Sequence, residues 1–265
     1  MTTTPEQLLA AFHTQVRLAD RDADPAHVVE HDGPVHRSYP PDPGAEGAMV
    51  ENPEGLGDDP AALVARQRDF FVARGQKVEW KTYSYDEPAS LGPLLEAAGF
   101  TREDDEALML GDALAVAALA PSLGPGFVVR EVVSDEDVEL IADLHEIVWP
   151  GTRAVGLRFG AERRADPDLV HGVLVQAAGG GPALCGGWLR PVEGTEFAGV
   201  WGGATRPEFR HRGLYRATLA RRADLALERG YRYLRSDSTP FSEPILARAG
   251  LLRVATTTPY VLDPR

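Results

Sequence analysis

The segment from Arg210 to Arg216, RHRGLYR, combines the residue types that bind a phosphate group. It follows an apolar, strand-like stretch and opens a helix, so the unpaired N–H groups of the first helical turn would face an anion in front of the loop. Gly213 lets the backbone approach closely, and Arg210 and Arg212 supply positive charge. His211 is equally consistent with contacting a phosphate and with being an exposed loop residue. The segment predicts a site for a phosphate or pyrophosphate group.

A helix–strand–helix–strand pattern occurs twice in the chain. Residues 62–75 align without a gap to residues 217–230, and both segments are typical of helices that end at a glycine. Each is followed by an aromatic-rich strand, a helix that begins at a proline, and a further strand. These elements are predicted at 78–83, 93–100 and 107–110 in the first copy, and at 231–236, 244–251 and 259–262 in the second. The repeat predicts two related units.

The loop before the first helix of each copy differs in charge. Gly55 and Gly57 stand where the second copy has Arg210 and Arg212. The first helix of the N-terminal copy then begins Asp58-Asp59-Pro60, a favourable N-cap and first-turn sequence that places carboxylates at the positive helix end. We therefore expect a phosphate to be repelled from the first copy and bound by the second.

A segment rich in small residues, proline and glycine, 115–126, interrupts the periodic pattern and predicts a linker. We therefore expect two domains, 1–120 and 121–265. The elements predicted after the linker are strands at 127–132, 169–177, 184–190 and 197–205, a helix at 135–148 N-capped by Ser134, and a helix around 160–166. Together with the repeated elements, this order predicts a mixed α/β (α+β) fold.

The strand, loop and helix around Arg210 resemble those of the GNAT superfamily of N-acetyltransferases, over about Phe127 to the C-terminus. In that family the loop reads Arg or Gln, two residues, Gly, one residue, then Gly or Ala. This chain matches at Arg210 and Gly213 and departs at Tyr215, and its lead-in Pro207-Glu208-Phe209-Arg210 is similar to the Pro-Glu-Tyr-Arg common there. The resemblance implies a central mixed, mostly antiparallel sheet flanked by helices. Together with the repeat and its charge-reversed loop, it predicts a tandem protein whose N-terminal unit is a related but degenerate copy.

By the same resemblance, the cofactor is acetyl-CoA or another acyl-CoA. Ala204 and Thr205 would bond the pantetheine amides through their backbone. Ser242 would either make a polar contact to the cofactor or cap the helix that follows it. Tyr215 is interpreted as a core residue, because it shares one apolar helical stripe with Leu219, Ala223 and Ala226. The residues implied to hold the pyrophosphate are Arg210, His211, Arg212, Gly213, Leu214, Tyr215 and Arg216.

Acyl transfer to an amine needs a base, because an alkylammonium with a pKa of about 10 must lose a proton before it attacks a thioester. Gly199 stands near the position of the family's strand glutamate, and Glu196 is the nearest carboxylate. Glu196 is therefore the candidate base. The alternatives are Asp237, and Glu146 or His145 on the helix at 135–148.

The proton donor for the departing thiolate is a tyrosine in many members of the family. This chain has Leu246 at that place, and Tyr260 in the final strand is an alternative. Two hypotheses follow. The first is transfer of an acetyl or short acyl group from acyl-CoA to the amine of a small molecule or peptide, with the loops at 149–153 and 193–195 near the acceptor. The second is a non-catalytic CoA-binding or regulatory protein that retains the fold.

The composition argues against several other classes of protein. A net charge of −13 disfavours nucleic acid and anionic membrane surfaces as partners. The sequence shows neither a long apolar run nor a signal peptide, so a cytoplasmic location is expected. The single cysteine, Cys185, lies in an apolar stretch typical of a buried residue. His27, His31 and His36 lie in Asp- and Pro-rich surroundings typical of solvated side chains, so no metal site is expected.

Overall fold

The computed structural model describes residues 3–21, 24 and 26–264, which form two compact units. Unit 1 runs to Met109 and also takes Asp237–Glu243 and the segment from Arg253 onward. Unit 2 consists of Leu110–Ser236 and Pro244–Leu252. This division differs from the predicted boundary at residue 120, because the last strand pairs within unit 1 and the residues just before 120 pack within unit 2.

The described chain contains both helices and strands. The helices are α1 (Pro5–Phe12), which continues as one π-helical turn (His13–Arg17), α2 (Pro60–Arg74), α3 (Leu91–Ala97), α4 (Ala113–Ala118), α5 (Asp135–Val148), α6 (Arg153–Ala165), α7 (Leu214–Glu228) and α8 (Glu243–Arg248), with a short 3-10 turn at Pro207–Phe209. The strands are β1 (Val28–Asp32), β2 (Val35–Tyr39), β3 (Ala48–Glu51), β4 (Val78–Tyr83), β5 (Thr101–Arg102), β6 (Glu106–Asp112), β7 (Phe127–Glu131), β8 (His171–Ala177), β9 (Cys185–Pro191), β10 (Phe197–Thr205), β11 (Tyr233–Ser238) and β12 (Leu252–Leu262).

Unit 1 contains two parallel strands that are joined by a helix. β1, β2 and β3 are antiparallel neighbours, and β4, which follows α2, lies parallel to β3. β12 then pairs antiparallel with β4. The core of this unit packs around Trp80 and Phe71, both with no exposed surface.

Unit 2 repeats that arrangement of strands and helix. β7, β8, β9 and β10 are antiparallel neighbours, and β11, which follows α7, lies parallel to β10. The two units therefore share the order of antiparallel strands, helix and parallel strand, of which the sequence repeat predicts the helix and the strand that follows it. The predicted fold class, a mixed α/β protein with a mostly antiparallel sheet flanked by helices, is confirmed.

Local capping signals explain why several predicted boundaries agree with the structure. α5 occupies the predicted residues because the Ser134 hydroxyl accepts the Asp137 N–H while the Asp137 carboxylate accepts the Ser134 N–H. α2 begins after Asp59, whose carboxylate accepts the Ala62 N–H at 3.1 Å, and ends at Gly75 with φ of 59°. β4 and β10 also have their predicted bounds.

Several predicted elements differ from the structure in their bounds. The linker at 115–126 begins within α4, which packs on α7, and β11 begins at Tyr233 rather than 231. α6 begins at Arg153 rather than near 160, because its glycines make a close helix contact instead of breaking the helix. A Cβ on Gly156 would lie 2.6 Å from the Cα of Ala142 on α5. No helix in the described part of the chain is long and apolar enough to cross a membrane.

Candidate functional site

Strand β10 separates from its parallel partner in unit 2. Their paired residues end at Gly199 and Arg235, well before β10 ends at Thr205. The pairing of β10 with β9 also shifts between Trp201 and Ala204, where Gly202 has a φ of 62°. This β-bulge re-aims the strand. Ala204 and Thr205 pair with β9 on one side but have no register partner in β11, so their other backbone edge can bind an extended ligand.

The predicted phosphate loop follows directly. After the Pro207–Phe209 turn come Arg210, His211 and Arg212, all exposed. The guanidinium of Arg212 lies 5.1 Å from the centroid of the Phe209 ring. His211 has a φ of 62°, a left-handed conformation that histidine adopts more readily than bulkier residues. The loop therefore presents two cations on a sharply turned backbone.

Gly213 ends the loop as the N-cap of α7. Its φ is 79°, and no side chain caps the helix, so the first N–H groups of α7 are not engaged by a capping side chain. The first turn carries no acidic residue. Leu214 is buried and anchors this turn, whereas Arg216 is exposed and donates to the Leu119 carbonyl at 3.4 Å. This helix end is electrostatically positive and suited to an anion.

The corresponding end of α2 in unit 1 has the opposite character. Asp59 occupies the N-cap and its carboxylate already accepts a backbone N–H of the first turn. Pro60, at the first helical position, has no N–H to offer. Gly55 and Gly57 precede it, with φ of 80° and 63°, and bring no positive charge. The end of α2 is therefore closed by the protein's own carboxylate.

Tyr215, the departure from the family pattern, lies against β10. A Cβ on Gly203 would be 2.5 Å from Cε2 of the Tyr215 ring, so the strand can pass there only because residue 203 is glycine. The ring packs with Leu214 and with Cys185, which is fully buried as predicted. Burial raises the pKa of the Tyr215 hydroxyl, and the nearby Arg222 guanidinium partly offsets that rise. The Tyr215 ring thus packs against the backbone of β10 at Gly203.

Arg222 on α7 is a functional candidate that sequence reasoning missed. Its side chain is fully buried, with Nη1 donating to the carbonyls of Trp188 at 3.4 Å and Trp201 at 3.3 Å. A Cβ on Gly187 would lie 2.9 Å from that Nη1. Arg222 thus ties α7 to β9 and to the bulge of β10. The available signal was a lone arginine on the apolar face of the predicted helix, opposite a glycine-rich strand.

Glu196, the candidate base, lies at the opposite end of β10 from the loop. Its half-exposed carboxylate is 3.8 Å from Nη1 of Arg232, and its carbonyl accepts the N–H groups of Arg232 and Tyr233. At about 3.3 Å per residue, the strand separates Glu196 from Ala204 by roughly 25 Å. This separation is measured from a residue predicted to hold the pantetheine arm rather than the thioester, and the assignment of Glu196 as the base stays a prediction. The sequence placed Glu196 near the site only because it is the closest carboxylate along the chain.

Of the alternative bases, His145 contacts the bulge. Its Nε2 lies 3.1 Å from the Gly202 carbonyl, and its ring stacks on Trp188 with centroids 5.3 Å apart. Burial lowers the pKa of His145, so the imidazole is neutral at neutral pH and donates Nε2–H to that carbonyl. Glu146 instead accepts hydrogen bonds from the backbone N–H groups of Gly151 and Arg153, and these bonds lower the pKa of its carboxyl. His145 is thus the titratable side chain that orients the bulge.

Three of the remaining predicted residues, Asp237, Ser242 and Tyr260, belong to unit 1. Asp237 pairs with Nζ of Lys81 at 2.9 Å, and Ser242 donates to the Thr239 carbonyl at 3.2 Å. Tyr260 lies in the core of unit 1, where a Cβ on Gly92 would be 2.4 Å from its hydroxyl oxygen. The final strand therefore takes Tyr260 into a packed core rather than to an exposed acid position. Leu246, in α8 of unit 2, is buried.

Replacing His145 with glutamine is expected to reduce the acid sensitivity of folding. Because burial lowers the folded-state pKa of His145 below its unfolded value of about 6.5, the stability it contributes is present above that value and is lost as the pH falls through the folded-state pKa. Urea unfolding at pH 7 and pH 5 measures the difference. Glutamine keeps a donor for the Gly202 carbonyl, so the stabilities at the two pH values should lie closer together in His145→Gln than in the parent. An unchanged difference would contradict this assignment.

The described chain has the fold of the GCN5-related N-acetyltransferases, the GNAT fold. A GCN5-related N-acetyltransferase from Kribbella flavida superposes with a TM-score of 0.72 at 18% identity, covering 100% of this chain and 97% of that one. One from Sphaerobacter thermophilus gives a TM-score of 0.66 at 17% identity, covering 100% and 95%. A tandem GNAT protein from the clavulanic acid biosynthesis pathway gives 0.65 at 12% identity, covering 100% and 97%. No protein-family model and no curated protein matches the sequence.

Proposed function

We propose that unit 2 binds an acyl-CoA, acetyl-CoA in the first instance, and transfers its acetyl or short acyl group to an amine. One observation carries the proposal: the uncapped, cationic N-terminus of α7 directly follows a bulged strand whose outer backbone edge is free of β11. The first feature suits a pyrophosphate, and the second suits the amide groups of a pantetheine arm. The GNAT fold supports the same assignment, because the loop and the bulge occupy consecutive parts of one strand–loop–helix segment.

The backbone groups and side chains of unit 2 would act mainly by positioning the acyl-CoA. The thioester supplies an activated acyl group, and the neutral amine forms the new C–N bond as the C–S bond breaks. The nitrogen releases one proton as the amide forms, and the departing thiolate takes up one proton. Backbone groups of Ala204 and Thr205 would hold the pantetheine arm, while Arg210, Arg212 and the first turn of α7 hold the phosphates. His145 and Arg222 act as positioning residues, because both bond carbonyls of the bulged strand. Positioning and electrostatic preorganisation account for much of the rate in many transfers of this kind.

A calorimetric titration with acetyl-CoA tests the binding step. We expect one site per chain in the parent, and an affinity weaker by about tenfold or more in Arg212→Glu, since a charge-assisted contact worth about 1.5–3 kcal/mol is replaced by repulsion. Arg158→Glu, on the exposed face of α6, changes the net charge equally and is the matched control. We expect it to bind like the parent. Absence of binding in the parent, or equal weakening in both variants, would reject the proposed site.

The stoichiometry also tests whether unit 1 is a degenerate copy. The Asp59 cap and the uncharged Gly55–Gly57 loop support the proposal that unit 1 has no phosphate site of its own. Asp59→Ser removes the carboxylate but keeps a capping side chain. We expect the parent and this variant to bind one acetyl-CoA each. Two equal sites in the parent would contradict the proposal.

The second candidate function is that of a non-catalytic CoA-binding or regulatory protein. The observations that favour it are Leu246 in place of the family's tyrosine and the remote position of Glu196. Thiol release from acetyl-CoA, followed with a panel of small-molecule and peptide amines, separates the two candidates. Amine-dependent turnover that falls in Arg212→Glu supports the enzyme. Tight binding with no turnover for any amine supports the alternative.

A further inference from the structure

Three potential metal ligands converge in unit 1, and none of them belongs to the proposed acyl-CoA site. They are the carboxylate of Asp20 and the imidazoles of His31 and His36, whose donor atoms all lie within 4.8 Å of one another. One Asp20 oxygen contacts Nε2 of His31 and the other contacts Nδ1 of His36. The sequence-based expectation of solvated histidines is therefore wrong for His36, whose residue is 6% exposed, and the expectation of no metal cluster does not fit this geometry.

The hairpin of β1 and β2 brings the two histidines together. Only two residues separate the strands, and Gly33 turns the chain there with a φ of 64°. His31 and His36 are directly opposite each other in the antiparallel register, so their side chains emerge on the same face. Their rings stack with centroids 4.1 Å apart and an angle of 27° between planes. Sequence spacing alone cannot reveal this pairing, because it depends on the hairpin register.

Asp20 reaches the hairpin from the end of the N-terminal helical segment. Its φ of 49° is a left-handed conformation that few non-glycine residues adopt, although aspartate is among those that tolerate it. It lies eleven residues before His31 in the chain. A bond from all three side chains to one ion would therefore close the loop between the helical segment and the hairpin.

The donor set matches a divalent transition-metal ion. Two imidazole nitrogens and one carboxylate oxygen are typical ligands of zinc, which binds them at about 2.0–2.2 Å. The side chains of His36 and Asp20 are 7% and 19% exposed, whereas that of His31 is 51% exposed. Two ligands are thus withdrawn from water and the third faces it. A tetrahedral zinc ion bound by these three ligands would have its fourth position available to a water molecule.

We propose that Asp20, His31 and His36 bind one zinc ion, which fastens the N-terminal helical segment to the β1–β2 hairpin. The ion is held by three protein ligands and a water molecule. Zinc stabilises the folded chain by mass action, because the ligands converge only in the folded state. This site is separate from the proposed acyl-CoA site and does not depend on it.

Calorimetric titration of the tag-free, EDTA-treated chain with zinc chloride is the direct test. We expect one zinc per chain. Since even an outer-sphere partner of a metal ligand typically changes affinity by about 10–100-fold, His36→Ala is expected to weaken binding by about 100-fold or more. His31→Gln, at a half-exposed position, provides a second variant that should fold even if His36→Ala does not. His27→Ala is the matched control, since His27 bonds the Ser38 hydroxyl rather than the cluster.

Two further readouts distinguish a site from adventitious binding. Cobalt titrated into the stripped parent should give the visible absorption of a tetrahedral complex, and His31→Gln should not. Zinc should raise the thermal unfolding temperature of the parent and of His27→Ala but not that of His31→Gln. No zinc binding in the parent, or an equal loss of zinc binding in His27→Ala and His31→Gln, would overturn the proposal. The cluster would then be a carboxylate that is hydrogen-bonded to two imidazoles. Acetyl-CoA affinity should be the same in His31→Gln as in the parent.

Discussion

Replacing Gly202 with valine is expected to destabilise unit 2 by about 3 kcal/mol or more and to abolish the proposed binding of acetyl-CoA. Two costs add at this position. Gly202 has a φ of 62°, a conformation that a β-branched residue avoids, and a Cβ there would lie 2.1 Å from Cζ3 of Trp188. Trp188 cannot move freely, because its ring stacks on both His145 and Phe159. The bulge must therefore flatten, which would redirect the backbone of Ala204 and Thr205.

A matched substitution separates backbone strain from the clash. Gly180 also has a left-handed φ, 85°, but nothing lies within 4 Å of a Cβ built on it. Gly180→Val is therefore expected to cost about 1–3 kcal/mol from strain alone and to leave acetyl-CoA binding unchanged. Urea unfolding and calorimetric titration of both variants measure the two effects. If Gly202→Val binds acetyl-CoA like Gly180→Val, the bulge does not form the coenzyme site.

The helices and strands that the sequence predicts best are those with local signals. The Ser134 capping box determines the start of α5, and Asp59-Pro60 and Gly75 determine both ends of α2. The predicted phosphate loop is equally local, since its arginines, its glycine and the following helix are consecutive in sequence. Such features depend on neighbouring residues, and the pattern of residue types carries them directly.

Features that depend on long-range pairing are not contained in any local pattern. The assignment of β12 to unit 1 follows from its register with β4, and no signal near Tyr260 specifies that partner. The meeting of Asp20 with His31 and His36 requires both the hairpin register and a left-handed backbone at Asp20. In each case the residue type was visible in the sequence, but its neighbours in space were not.

Replacing Arg17 with methionine is expected to destabilise unit 1 by about 3–5 kcal/mol at pH 7. Arg17 is 3% exposed and bonds Asp86 at 2.7 Å and Glu51 at 3.2 Å, while its guanidinium lies 3.8 Å from the centroid of the Tyr83 ring. Methionine fills much of the same volume but leaves two carboxylates without this cation. The Asp86 side chain, 3% exposed, carries most of that cost, because a buried carboxylate is expensive unless it is paired.

The pH dependence of this loss follows from the carboxyl group of Asp86. In the parent, burial already raises the pKa of Asp86 above its ordinary value, with Arg17 opposing the rise. Without Arg17 the folded-state pKa rises further, so the stability of the variant is highest below the unfolded value of about 3.9 and falls as the pH rises through the folded-state pKa. The difference between parent and variant should therefore be smaller at pH 4 than at pH 7.

An exposed ion pair in the same unit provides the control. Arg66 bonds Asp32 at 2.6 Å, but its side chain is 55% exposed, and pairs of this kind contribute about 0–1 kcal/mol. Arg66→Met is expected to leave stability within that range at both pH values. Urea unfolding of the parent and the two variants at pH 4 and pH 7 measures all the differences. Equal and pH-independent losses in Arg17→Met and Arg66→Met would show that burial of the Arg17 cluster does not control the stability of unit 1.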